Sequence, residues 1–120
     1  MKRVMAVVLL SAIVAMAGDV TGTWTGTFKV SGGDHTVPQV IILKQEGKKL
    51  TGSAGPEPQE QYPIENGRVD ADHVTFELTS GEWRFSYNLK RDGEDEIQGD
   101  LSLKSINDSR TAKVVLRKTK

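Results

Sequence analysis

The chain has 120 residues, no cysteine, and 16 basic against 16 acidic side chains. That balance offers no electrostatic footprint for nucleic acid or for an anionic membrane surface. Without cysteine there is neither a disulfide to staple the fold nor a thiol for catalysis, so stability must come from a hydrophobic core.

The chain opens with Lys2 and Arg3, followed by an apolar run from Val4 to Met16 broken only by Ser11. The run ends in Ala15-Met16-Ala17 before Gly18, a small-x-small pattern of the kind signal peptidase accepts. About 13 apolar residues fall short of the roughly 20 needed to span a bilayer. Residues 1–17 are therefore expected to be a cleavable signal peptide, cut between Ala17 and Gly18, with no membrane anchor remaining. Export to the periplasm or the exterior follows. Residues 18–120 would form one domain, and losing Lys2 and Arg3 leaves 14 basic residues against 16 acidic ones.

Beyond the leader the apolar residues recur with period two, the mark of half-buried strands. In Gly22–Val30, Trp24, Gly26, Phe28 and Val30 alternate with threonines and Lys29. Pro38–Gln45 contains the unbroken run Val40-Ile41-Ile42-Leu43, so its inward face is ambiguous. Ile41, Leu43 and, further on, Val115 are placed on the outer face, open to either a core or an interface role. Lys49–Ala54 is a short third strand. In Tyr62–Val69, Ile64 and Val69 share a face only if one extra residue is absorbed, and Asn66-Gly67 is the natural place for a bulge because glycine accepts positive φ. A tight Asn-Gly hairpin is the alternative there.

His73–Thr79 turns Val74, Phe76 and Leu78 to one side, and Glu82–Lys90 does so with Trp83, Phe85, Tyr87 and Leu89. Glu96–Lys104 presents Ile97, Gly99, Leu101 and Leu103, and Arg110–Lys118 presents Ala112, Val114 and Leu116. Eight strands with short links predict an all-β fold, an eight-stranded antiparallel up-and-down meander that closes into a barrel. An open two-sheet sandwich is the alternative.

The segment Thr21-Gly22-Thr23-Trp24 resembles the Gly-x-Trp start of the first strand in the calycin superfamily, the lipocalins and avidins. Leu50-Thr51-Gly52-Ser53 is similar to the third strand of avidin-type barrels. The whole domain, with Asp95-Glu96-Ile97-Gln98-Gly99 as an Asp-x-Ile-x-Gly element, resembles small exported bacterial proteins of unknown function. The resemblance implies a structural signature of Gly22, Trp24 and a basic residue near the chain's end, with Arg117 the matching position. Trp24 would close one barrel end beneath that cation. Strand parity sets Arg117 opposite Val114 and Leu116, so the contact requires a twist. The biotin site of avidins does not carry over, because their later Trp-bearing strands have no counterpart.

The longer connections, Ser31–Val37, Gly55–Gln61 and Ser105–Ser109, fall at one barrel end, the expected mouth, since binding residues concentrate on loops held by a rigid scaffold. Trp83, Tyr62 and His35 are the candidate ligand-binding residues there. No nucleophile–base set, phosphate cradle or calcium-loop pattern is present, so no catalytic residue, metal or cofactor is assigned. The expected function is a non-enzymatic binding barrel for a small ligand at the long-loop end. The alternative is an inhibitor or interaction module that shows loops 31–37 and 55–61 to an envelope protein.

Overall fold

A computed structural model describes residues 19–33 and 35–119. The signal peptide expected over residues 1–17, and its cleavage point at Ala17 and Gly18, lie outside the described residues. The strands are β1 (Gly22–Val30), β2 (Thr36–Glu46), β3 (Lys49–Glu57), β4 (Glu60–Pro63) and β5 (Glu65–Asp70). They continue as β6 (His73–Ser80), β7 (Trp83–Arg91), β8 (Glu96–Lys104) and β9 (Ser109–Lys118).

Each neighbour pairs antiparallel, and β4 and β5 both lie against β3, so together they form one broken stave. The ladder returns from β9 to β1, with Trp24 opposite Lys118 and Val30 opposite Ala112. The result is a closed eight-stave meander barrel rather than an open sandwich, and closure removes the free sheet edges that invite aggregation. At the β1–β9 seam Gly26 pairs with Leu116, and a Cβ on Gly26 would collide with the Val115 carbonyl oxygen.

Alternation fixes the core. Trp24 and Phe28 point inward from β1, Val74, Phe76 and Leu78 from β6, Tyr87 and Leu89 from β7, and Ala112, Val114 and Leu116 from β9. Strand β2 corrects the expectation for its face: Ile41 and Leu43 are buried, while Ile42 is 42 % exposed. The cause is register. Ile41 stands opposite the inward Trp24, and directly opposed residues of an antiparallel pair project to the same side of the sheet. Val115 does lie on the outer face, 46 % exposed.

The fourth stave contains the expected bulge. Glu65 pairs with Glu77 but Arg68 pairs with Thr75, so one extra residue is absorbed at Asn66-Gly67, which turns both Ile64 and Val69 toward the core. Asn66, not Gly67, takes the positive φ, 53°, a conformation that asparagine tolerates better than most side chains. Gly67 is needed for close approach instead: a Cβ there would strike the Leu50 carbonyl oxygen. Glu77 holds the bulge, accepting hydrogen bonds at Oε1 from Asn66 Nδ2 (2.9 Å) and Arg84 Nη2 (2.6 Å). These donors, the Asn66 amide foremost, keep the Glu77 carboxyl below its ordinary pKa.

Candidate functional site

The two barrel ends are built differently. At the end that receives the Gly47-Lys48 and Ala71-Asp72 turns, residues 19–21 lie across the opening. Val20 is buried, and its N–H donates to Gln45 Oε1 at 2.9 Å. Its carbonyl accepts the indole N–H of Trp24 at 2.9 Å. Thr21 N–H donates to Asp19 Oδ1 at 2.7 Å, and Gln45 N–H donates to Thr21 Oγ1 at 3.0 Å. Hydrogen bonding from Thr21, its side chain foremost and its N–H next, lowers the Asp19 pKa. Trp24 is wholly inaccessible. The cation above it is Lys118, whose Nζ lies 5.9 Å from the ring centroid. Arg117, the position implied by the resemblance, points outward and approaches Glu96 at 3.6 Å. Parity explains the exchange: Lys118 shares the inward face of Leu116 and Val114, and Arg117 does not.

The opposite end is open. Between the fourth stave and β6 the ladder stops at Glu65–Glu77; beyond that pair β4 is bonded to β3 alone. Pro63, which lacks an N–H, lies in this unpaired stretch, where an edge accepts it. A cavity of about 190 Å³ opens here. Its walls are mostly apolar, and four aromatic rings contribute to them: Phe28 from β1, Tyr62 from β4, and Phe85 and Tyr87 from β7.

Gln39 supplies the polar part of the lining. It is 5 % exposed, and its Oε1 accepts the Tyr87 hydroxyl at 2.6 Å. Its Nε2 donates to the Pro38 carbonyl at 3.2 Å. Burial pushes the Tyr87 hydroxyl well above the ordinary tyrosine pKa, a sign of how strongly this floor opposes charge. The Tyr87 ring is also fixed from behind, stacked on Phe76 with centroids 4.5 Å apart. At the rim the Tyr62 hydroxyl donates to Glu60 Oε2 at 2.9 Å.

Of the residues singled out in the sequence, Tyr62 lines the cavity. Trp83 is half-buried against the core but contributes nothing to the lining, and its inward neighbour Phe85 does instead. His35 is an exposed residue of the β1–β2 connection and is not part of the lining either. The Gly55–Gln61 connection is not an open loop: β3 and β4 continue into it as a hairpin turning at Pro58-Gln59, with a bulge between Ala54 and Glu57. Gln61 stiffens the hairpin, accepting from Ser53 Oγ and donating to the carbonyls of Glu57 and Val40.

Sequence reasoning missed Gln39 and Tyr87. The available signal was a glutamine in period with Ile41 and Leu43, which becomes visible only once the β2 face is known. Two hollows of about 360 and 450 Å³ lie on the outer wall near Arg68. They are open depressions among exposed side chains, and we give them less weight than the smaller, walled cavity. No group of three His, Asp or Glu side chains arranged to hold a metal occurs among the described residues.

Compared with protein-family models, with curated proteins and with solved structures, the chain matches none. The closed eight-stave barrel is consistent with a calycin-like fold.

Proposed function

We propose that this protein is an exported, non-enzymatic binding barrel that takes a small ligand at its open end, within a calycin-like scaffold. The observation that carries the reading is the 190 Å³ cavity at the slit beside β4. If dry and sealed, such a void would cost about 4–5 kcal/mol at about 24 cal/mol per Å³, a large share of the 5–15 kcal/mol typical of a domain. Opening to solvent lowers that cost, and the Gln39–Tyr87 pair gives an occupant polar partners. A small, mostly apolar pocket with a few convergent polar groups is the usual form of a ligand site. Among the described residues the only carboxylate in the lining is Glu60, and it is engaged by the Tyr62 hydroxyl, which favours binding over acid–base chemistry. The alternative is a protein-facing module presenting residues 31–37 and the 55–61 hairpin, whose pinned geometry is pre-organised for a partner; the walled cavity favours the small-ligand reading.

The test is native mass spectrometry of the protein purified from its own source without denaturation. A discrete small-molecule mass is expected on the wild type. It should be lost in Ser80→Trp, which fills the mouth from a half-buried rim position. Retention of the added mass in that variant would place the ligand elsewhere, and a bare wild-type mass would reject a tightly held ligand.

A further inference from the structure

Resting on that reading of the mouth, we infer that the occupant is a neutral single-ring aromatic molecule carrying a hydroxyl, held by the Gln39–Tyr87 pair. Size sets the first limit. A cavity of about 150 Å³ accommodates benzene, so 190 Å³ admits one ring and a small substituent. The walls set the second: rings from Phe28, Tyr62, Phe85 and Tyr87 favour a planar aromatic body through stacked or edge-on contacts.

The floor sets the third. The Tyr87 hydroxyl donates its hydrogen bond to Gln39 Oε1, so the phenolic oxygen is left as an acceptor. Gln39 Nε2 has used one of its two hydrogens on the Pro38 carbonyl, so one donor is left. An occupant must therefore donate to Tyr87 and accept from Gln39, and a hydroxyl does both through a single atom. A carboxylate only accepts and a methyl group does neither. Negative charge is opposed twice, by the Glu60 carboxylate at the rim and by the buried floor around Tyr87, and the desolvation of that floor opposes a cation as well.

The experiment is isothermal titration calorimetry of the purified protein at neutral pH with phenol, toluene and benzoate. Phenol is expected to bind about tenfold more tightly than toluene, the worth of a net neutral hydrogen bond, and benzoate more weakly than either. In Gln39→Leu the phenol advantage should vanish while toluene binding remains; Tyr87→Phe serves as the second variant should the first fold poorly. Equal affinity for phenol and toluene would overturn the hydroxyl assignment yet leave the mouth as a binding site. Benzoate binding as well as phenol would overturn the requirement for neutrality. Failure of all three probes would overturn both this inference and the mouth reading on which it rests.

Discussion

The two ends of this barrel solve one packing problem in opposite ways. At the closed end a large aromatic, Trp24, is covered by a neighbouring piece of backbone. Its single polar atom is satisfied by the Val20 carbonyl, and the side chain is wholly inaccessible. At the open end two buried polar side chains satisfy each other beneath a space that no side chain fills. A barrel optimised only for stability would repeat the first solution at both ends, because empty apolar space is destabilising and buried polar pairs contribute little net. The asymmetry is what the proposed function requires, with one end packed shut and the other open to an occupant.

The largest effect that should separate the ends is Trp24→Ala. Trp→Ala in a core costs about 3–5 kcal/mol, and here it also orphans the Val20 carbonyl. Urea unfolding should show a loss of that size, while a loss below about 1 kcal/mol would mean that Trp24 does not organise its end.

A smaller effect is expected at the open end. Tyr87→Phe and Gln39→Leu each strand a buried partner, at about 1–3 kcal/mol apiece. The double variant should cost clearly less than the two together, and simple additivity would show that the pair is not coupled. Alkaline titration sharpens this. The unfolded chain releases the Tyr87 proton near pH 10, whereas the folded chain, with its raised pKa, retains it. Stability should therefore be unaffected by this group below about pH 10 and fall as pH rises above it. Tyr87→Phe should lack that part of the slope.

The smallest effect is at the cation over Trp24. Lys118→Met should cost about 0.5–1 kcal/mol, more than Arg117→Met, because the Arg117–Glu96 contact is solvent-exposed and such pairs contribute little. The reverse order would return the capping role to Arg117.

Much of this was legible from residue types alone. Period-two alternation marks most of the staves, and the odd spacing of Ile64 and Val69 betrays the bulge in the fourth. What was not legible depends on long-range register. The run Val40–Leu43 has no alternation of its own, so its face is decided only by pairing with β1, and Gln39 inherits its inward position from that pairing. The second bulge, at Gly55-Pro56, carries no periodic signal because few apolar residues flank it. Parity set Arg117 opposite Val114 and Leu116 but did not by itself name a replacement, and Lys118 emerges only from the seam with β1.

The seam between β1 and β9 sets the order in which the molecule can assemble. It joins Trp24 to Lys118, and Thr119 N–H donates to the Thr23 carbonyl, so β1 finds its second partner only in β9, far along the sequence. Contacts of such high sequence separation make folding slow, and every species lacking β9 exposes β1 and β8 as bare edges. A chain emerging residue by residue thus cannot close early. It remains an incomplete sheet, with β1 and β8 as its edges, until β9 is free to join them.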